Sequence, residues 1–310
     1  MLLDYMKGHM GGNTIALLLG EQIPEGREIQ VAQEALSAPY LFCHEAGILY
    51  QPREDGHLRV KIVEPGNPDY IAACGGMTQV LGKALVETSL GRHFHIELRE
   101  PVQEILLETD AGLLKLQVEI REGVATRVLS DLTFFARDCY STGVYPMTLK
   151  GVQVMRVGKF LVVDGDKLKR KFPELDYASL DEDTREVLFA LYREYHSQTG
   201  LDSYDFSFFD GNSRAGADLR AVFPHNIREG WIEPTCGTGS VALGIALYEE
   251  SRAPAREGAF RVTLETGGGL NLGGPDLTVL DMTYDGGELT EALFSHSFVQ
   301  VTSLGQVIIP

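Results

Sequence analysis

Short apolar runs and alternating apolar and polar positions recur along the chain, and both patterns predict β-strands. In the first half the predicted strands are Thr14–Leu19, Leu41–Tyr50, Leu58–Val63, His93–Leu98, Gln103–Thr109, Leu113–Glu119 and Ala125–Leu129. In the second half they are Val157–Val163, Phe206–Phe209 and a set of paired strands with glycine-rich turns at 267–269 and 286–287. The chain is therefore expected to be rich in sheet.

Helical spacing of apolar residues marks four other segments. Two of them are Glu28–Leu36 and Leu180–His196. The other two follow Cys74 and Cys236, where apolar residues recur every three or four positions after a glycine-rich turn. We expect the helix after Cys74 to end near Gly91. Strands interleaved with a few helices predict an α+β protein.

The two cysteine-led helices belong to one repeated segment. Cys74–Glu87 reads CGGMTQVLGKALVE and Cys236–Glu249 reads CGTGSVALGIALYE, with identical residues at seven of 14 positions. The copies lie roughly half a chain length apart, as a duplicated domain predicts. We therefore expect two similar lobes, each a mostly antiparallel sheet around one main helix, with the boundary near Arg137–Pro146, where Gly143 and Pro146 break the pattern.

Each cysteine of the repeat is predicted to sit at a helix N-terminus. There the unpaired N–H groups and the helix dipole favour negative charge, which would lower the thiol pKa and bind a carboxylate ligand. A single Cys-Gly turn would more simply be a buried structural cysteine. Duplication explains the scaffold but not the retention of both thiols, so we interpret Cys74 and Cys236 as an acid/base pair facing one cleft.

Length, composition and charge narrow the function classes. A chain of 310 residues with 44% hydrophobic and 23% charged residues predicts a two-domain globular protein. The net charge of −17 argues against nucleic acid and membrane partners. The apolar stretch Ile15–Leu19 is too short for a signal-peptide core, so a cytoplasmic location is expected. Four cysteines make no disulfide framework, and Cys43 and Cys139 are predicted to be packed apolar residues. No metal is expected, because no ligand spacing occurs.

Several motifs together resemble the diaminopimelate epimerase-like superfamily of cofactor-independent, two-cysteine amino-acid racemases and epimerases. His9-Met-Gly-Gly-Asn13 is similar to the family's His-Gly-Leu-Gly-Asn opening, Cys74-Gly75 to its first catalytic motif, and Cys236-Gly237-Thr238-Gly239 to its second. The resemblance spans most of the chain. It implies two pseudo-symmetric, barrel-like lobes, here 1–136 and 137–296, with the active site between them. It also implies that the last strand, about 297–310, returns to the first lobe.

The chain departs from diaminopimelate epimerases at three motifs. The first cysteine motif lacks the family's asparagine, Arg228-Glu229-Gly230 replaces Glu-Arg-Gly, and Lys159-Phe160-Leu161 replaces Asn-Pro-His. These positions read or support the substrate side chain in the family. We therefore expect a substrate other than diaminopimelate.

The predicted function is a PLP-independent amino-acid racemase or epimerase. Cys74 and Cys236 would act from opposite faces of the substrate α-carbon, one as base and the other as acid. The expected substrate contacts are Asn13, Gly75, Gly76, Gly237, Thr238, and Arg228 or Glu229 for a distal carboxylate or amine. Thr78 and Ser240 would contact substrate or cap the helices.

Two other functions remain open at this point. One is a double-bond isomerase of an unsaturated di- or tricarboxylic acid on the same fold, and the other is a non-catalytic ligand-binding relative. In each case the expected partner is a small-molecule amino acid or carboxylic acid. A second copy of the chain in a homodimer is a further option.

Overall fold

The computed structural model describes residues 1–110, 112–177, 181–202, 205–214, 216–225, 231–251, 258–266 and 276–310. The strands in this part of the chain are β1 (Leu2–Met10), β2 (Asn13–Leu19), β3 (Glu45–Tyr50), β4 (Leu58–Val63), β5 (Val102–Thr109), β6 (Gly112–Arg121), β7 (Val124–Asp131), β8 (Val144–Leu149), β9 (Val152–Val157), β10 (Phe160–Asp164), β11 (Asp205–Asp210), β12 (Leu219–His225), β13 (Trp231–Glu233), β14 (Gly258–Thr266), β15 (Asp276–Asp285), β16 (Glu288–His296) and β17 (Val299–Ile308). The helices there are α1 (Glu28–Leu36), α2 (Gly75–Glu87), α3 (Leu90–His93), α4 (Thr133–Thr142), α5 (Gly165–Lys171), α6 (Glu182–Thr199) and α7 (Gly237–Ser251).

The chain forms two compact units. Unit 1 comprises Met1–Asp131 and Ser295–Pro310, and unit 2 comprises Leu132–Phe294. In unit 1 the strands pair in the order β17-β1-β2-β3-β4-β5-β6-β7. All of these pairs are antiparallel except β2 with β3 and β4 with β5.

Unit 2 repeats this arrangement strand for strand. Its pairs run β8-β9-β10-β11-β12-β14-β15, with parallel pairing only between β10 and β11 and between β12 and β14. The strand β16 follows β15 after a turn at Gly286 and Gly287, and Thr290 Oγ1 donates to the Thr283 carbonyl across it. The short strand β13 is an addition that pairs with β12.

One buried helix forms the centre of each unit. In α2 every residue from Gly75 to Leu85 except Lys83 is buried, and in α7 the residues from Gly239 to Ala246 are buried. Both helices carry a glycine eight residues after the cysteine, where the sheet comes closest. A Cβ atom on Gly82 would lie 2.7 Å from Val128, and one on Gly244 would lie 2.2 Å from Leu280. The repeated Leu-Gly-x-Ala-Leu pattern thus lets the helix pack tightly inside its sheet.

Two predictions about local structure are wrong. Val157–Val163 is not one strand, because the chain reverses at Gly158 (φ +58°) and forms the β9–β10 hairpin. His93–Leu98 is not a strand, since α3 ends at His93 and His95 takes a left-handed conformation (φ +55°). The lobe boundary predicted at Arg137–Pro146 lies a few residues after the start of unit 2 at Leu132, and Gly143 within it caps the end of α4.

Most other predicted elements are confirmed. The helix α1 has the predicted bounds, and the predicted strand Leu58–Val63 is β4. The predicted strand from Leu41 begins later, at Glu45. The glycine-rich turn predicted at 267–269 lies outside the described residues. No helix in the described ranges combines the length and apolar character that crossing a bilayer requires.

Candidate active site

The two cysteines of the repeat occupy the same local position in their units. Cys74 is the N-cap residue of α2, with extended backbone angles (φ −144°, ψ 120°) and a sulfur that accepts the Met77 N–H at 3.1 Å. Cys236 directly precedes α7, and its sulfur accepts the Gly239 N–H at 3.2 Å. In both cases the sulfur takes the place of the oxygen that usually caps a helix. The predicted placement of both thiols at helix N-termini is thus confirmed.

A buried carboxylate contacts the first thiol. The Cys74 thiol donates to Oε2 of Glu45, the first residue of β3. Cys74 is 5% exposed and Glu45 is 7% exposed. The parallel pairing of β2 with β3 aligns Glu45 with Ile15 and so carries the carboxylate to the start of α2. Cys74 and Glu45 therefore form a dyad that can hold or release one proton.

The second thiol also has a carboxylate beside it. The side chains of Cys236 and Glu233 are hydrogen-bonded, and both residues are buried. Burial raises the pKa of the Cys236 thiol well above its ordinary value, and the negative charge and hydrogen bond of Glu233 raise it further. Hydrogen bonds from Thr238 and Gly239 favour the thiolate but are outweighed.

The expected lowering of the thiol pKa at the helix N-terminus is therefore wrong for Cys236. The helix N–H groups do act on the sulfur, but desolvation disfavours the charged form more strongly. At neutral pH this cysteine is a protonated thiol, a state suited to a proton donor.

Asn13 lies beside the first cysteine. A Cβ atom added to Gly76 would lie 3.3 Å from Asn13 Nδ2 and 3.6 Å from Cys74 Sγ. Asn13 is fully buried at the start of β2, and Gly75 is buried as well. The structure thus brings Asn13, Gly75 and Gly76 together with Cys74.

Gly237 and Thr238 lie beside Cys236 in unit 2. Thr238 Oγ1 lies 3.3 Å from Cys236 Sγ, and its side chain is half-buried. Arg228 and Glu229, the predicted contacts for the far end of a substrate, lie outside the described residues.

Thr78 and Ser240 do not cap the helices, which was one of the two roles considered from sequence. Thr78 Oγ1 donates to the Gly75 carbonyl at 2.8 Å, and Ser240 Oγ donates to the Cys236 carbonyl at 2.6 Å. Both residues are fully buried. Their hydroxyl groups donate hydrogen bonds to backbone carbonyls at the start of each helix, while the cysteine sulfurs cap the helix N–H groups.

A polar network behind Cys74 fixes the first turns of α2. Ser130 Oγ lies 2.7 Å from Thr78 Oγ1 and accepts from Gln79 Nε2 at 2.8 Å. Gln79 in turn accepts the His296 N–H at 3.2 Å. Burial lowers the pKa of His296 to about 4, so its ring is neutral. The network orients the helix without adding a charge near the thiol.

Sequence reasoning missed Glu45 and Glu233. Glu45 opens an otherwise apolar strand, EAGILY, and a lone acid in a buried strand was the available signal. Glu233 lies three residues before Cys236 in the sequence. Solvent-exposed acids are common this close to a cysteine, so the spacing alone does not indicate a contact. Only the folded chain identifies both as partners of the thiols.

Comparisons with known proteins find solved structures of similar fold. No protein-family model matches the chain, and no curated protein matches it. The structure is similar to that of a hydroxyproline epimerase from Agrobacterium vitis with bound trans-4-OH-L-proline, at 16% identity over 99% of this chain and 92% of that chain (TM-score 0.65).

Two further solved structures match over nearly their whole length. A PhzF-family phenazine biosynthesis protein from Bacillus anthracis shares 13% identity over 100% of both chains (TM-score 0.63). A methylitaconate-delta-isomerase shares 14% identity over 99% of this chain and 95% of that chain (TM-score 0.61). These proteins have the two-lobed α+β fold of the diaminopimelate epimerase-like superfamily. The predicted fold class and the fold-level resemblance are confirmed.

Proposed function

We propose that this chain is an isomerase that moves a proton at a carbon next to a carboxylate, and that it is an amino-acid racemase or epimerase. The observation that supports this best is the matched pair of buried thiols, each at the N-terminus of a repeated helix and each bonded to a buried glutamate. A merely structural repeat has no need of a carboxylate beside each thiol.

In the proposed reaction the two dyads exchange protonation states in each turnover. In one direction the substrate α-proton passes to the Cys74 thiolate, while the Cys236 thiol gives its proton to the opposite face. The reverse direction starts with the thiolate on Cys236. Glu45 and Glu233 accept and return the thiol proton between turnovers, so that either sulfur can become the base. No electron transfer or cofactor is needed for this step.

The helix N-termini are suited to the carboxylate of the substrate. Backbone N–H groups at Gly75 and Gly76 and at Gly237 and Thr238 belong to first helical turns, where no carbonyl of the helix accepts them. These donors would also stabilise the negative charge that develops when the α-proton leaves. Asn13 adds an amide beside Cys74.

The neighbouring folds suggest which substrates to try first. One neighbour is a hydroxyproline epimerase with trans-4-OH-L-proline bound, and another is a probable proline racemase, so proline and its hydroxylated forms lead the panel. The similarity to methylitaconate-delta-isomerase supports a second candidate, a double-bond shift in an unsaturated carboxylic acid. This alternative needs the same proton transfer but no amino group.

Deuterium exchange tests the proposal directly. Proton NMR in D₂O with a reducing agent would follow loss of the Cα–H signal across amino acids and unsaturated carboxylic acids. We expect Cys74→Ser and Cys236→Ser each to slow the exchange by at least about 100-fold. Cys139→Ser removes a buried thiol that lies in α4, outside both dyads, and serves as the matched control. The proposal would be refuted if exchange survived in both dyad variants. It would also be refuted if no compound of the panel exchanged its proton.

A further inference from the structure

Unit 2 contains a buried carboxylate that the proposed proton transfer does not use. Asp276, the first residue of β15, is 1% exposed, and neither of its carboxylate oxygens has a hydrogen-bond partner in the described part of the chain. Two residues further along, the fully buried Thr278 hydroxyl lacks a partner there as well. Leaving a carboxylate buried without a partner is strongly unfavourable, so it calls for an explanation.

The position of Asp276 on β15 places it at the Cys236 end of unit 2. Residues 276, 278, 280, 282 and 284 are buried and share one face of the strand. Along this face, Tyr284 stacks on Tyr248 at 3.8 Å, and Leu280 lies against Gly244. Going from Tyr248 to Gly244 leads towards the N-terminus of α7, and going from Tyr284 to Leu280 leads towards Asp276. Asp276 and Thr278 therefore continue the inner face towards the end of α7 where Cys236 lies.

Unit 1 shows that the fold does not need these polar groups. Thr109 pairs with Gly112 at the start of β6, as Thr266 pairs with Asp276 at the start of β15. The unit 1 counterparts of Asp276 and Thr278 are therefore Gly112, which is exposed, and the buried Leu114. Unit 1 therefore adopts the fold without a polar side chain at either position. The acid and the hydroxyl in the other copy point to a ligand.

We propose that Asp276, with Thr278 beside it, binds the ammonium group of an amino-acid substrate at the Cys236 end of unit 2. This inference rests on the proposed function and adds the side chains that would recognise the amine of the substrate. A carboxylate with no partner is complementary to a small cation, and a hydroxyl acceptor completes the contacts of an ammonium group. The N-terminus of α7 attracts a carboxylate at the same end of unit 2. A molecule that carries both groups on one carbon is an α-amino acid.

Without a bound ligand, the buried Asp276 carboxylate should lower the stability of the folded protein. Burial raises the pKa of Asp276 from 3.8 to about 6. Because the folded-state pKa lies above the unfolded one, the folded state loses stability as the pH rises from about 4 to about 6, and the loss is complete above that range. Asp276→Asn removes this loss. Its Tm relative to the parent should therefore be about 3 °C higher at a pH of about 8 than at a pH of about 4.

The decisive experiment compares amino acids with the matching 2-hydroxy acids, which lack the amine. For amino acids we expect Asp276→Asn to raise the KM of α-proton exchange about 10- to 100-fold, with a smaller effect on kcat. Asp281→Asn is the matched control, because Asp281 lies on the other face of β15, where it pairs with Arg261 at 3.3 Å. Equal KM values in the parent and Asp276→Asn, or an Asp276→Asn protein that is less stable at every pH, would overturn the inference.

Binding without turnover separates this inference from the proposed function. Thermal shifts with the same panel are measured in Cys236→Ser, with and without Asp276→Asn. If the parent exchanges only unsaturated acids, the proton-transfer function stands and the ammonium site is rejected. If nothing exchanges but amino acids still shift the Tm in an Asp276-dependent way, the ammonium site stands and the isomerase is rejected.

Discussion

The two units share a scaffold but supply the carboxylate of each dyad from different places. In unit 1 it is Glu45, on a strand 29 residues before the thiol, and in unit 2 it is Glu233, three residues before it. The helix, its capping sulfur and its close-packed glycine match in both copies. Duplication therefore accounts for the position of each thiol but not for its partner.

Neither unit supplies a carboxylate to its thiol from the position that the other unit uses. The residue three before Cys74 is Ile71, which makes an isolated bridge to Ile62. The first residue of β11, which corresponds to Glu45 on β3, is Asp205, and it pairs with Lys159 at 2.9 Å. Two different routes lead to the same thiol–carboxylate contact, and the proposed proton transfer requires that contact in both units.

The largest effect is expected from removing the charge of each dyad. Glu45→Gln and Glu233→Gln should each slow proton exchange by about 100-fold, because the thiol loses its proton acceptor. Glu233→Gln should also lower the pKa of Cys236, since the charge of Glu233 contributes to raising it. Alkylation of Cys236 by iodoacetamide, followed by mass spectrometry against pH, measures this shift.

Each dyad variant is the control for the other. Glu45→Gln should leave the alkylation profile of Cys236 at its parent value. If Glu233→Gln leaves that profile unchanged, or if exchange is as fast as in the parent in both variants, the thiols do not depend on their carboxylates.

A smaller effect is expected from filling the close-packed glycine of each helix. Gly82→Ala places a Cβ against Val128, a β-branched side chain with few rotamers, whereas Gly244→Ala places it against the flexible end of Leu280. Overpacking should cost about 1–3 kcal/mol, partly offset by about 1 kcal/mol from the higher helix propensity of alanine. The distance from the added Cβ to its neighbour is larger in Gly82→Ala than in Gly244→Ala. We nevertheless expect Gly82→Ala to lower the free energy of unfolding at least as much as Gly244→Ala does.

Urea unfolding of the two alanine variants measures this difference. A clearly larger loss in Gly244→Ala would mean that distance, not the stiffness of the neighbour, decides the cost. Unfolding that is unchanged in both variants would contradict the close packing of the helices.

The smallest effect is expected at a loop clamp that both units share. Glu108 on β5 accepts the backbone N–H groups of Arg53, Glu54 and Gly56 at 2.7–3.1 Å. Glu265, at the matching place on β14, accepts from the Ser213 hydroxyl at 3.1 Å and from a backbone N–H. Burial acts to raise the pKa of Glu108, but the backbone hydrogen bonds outweigh it and hold the pKa below its ordinary value of 4.5.

The sign of this shift fixes the pH dependence of a substitution at the clamp. A lowered folded-state pKa stabilises the protein above the ordinary pKa, and that stability is lost as the pH falls through the folded value. Glu108→Gln should therefore cost about 1 kcal/mol at a pH of about 7 and less as the solution becomes acidic. Glu104→Gln changes an exposed acid on the same strand and is the control in chemical unfolding at several pH values. A cost that is the same at every pH would argue against the ionised clamp.

Local pattern sufficed where one periodic segment forms one element. The helix after Cys74 and the strand at Leu58–Val63 follow directly from the spacing of apolar residues. It failed at Val157–Val163, because a single left-handed glycine turns one apolar run into two strands. It also missed α4, whose sequence has little helix preference and buries only Ala136 and Cys139. Pro146 suggested a break but lies within β8, which pairs only with β9 among the described strands, and an edge strand tolerates proline.

The sequence by itself determined the fold class, the repeat and the two thiols at helix N-termini, because these depend on residue spacing within short segments. Only the tertiary structure brought Glu45 to Cys74, revealed the buried state that raises the Cys236 pKa, and left Asp276 without a partner in the described chain. The reason is physical. A pKa and a missing hydrogen bond depend on which distant groups surround a side chain and on how much water is excluded, and neither is encoded in local periodicity.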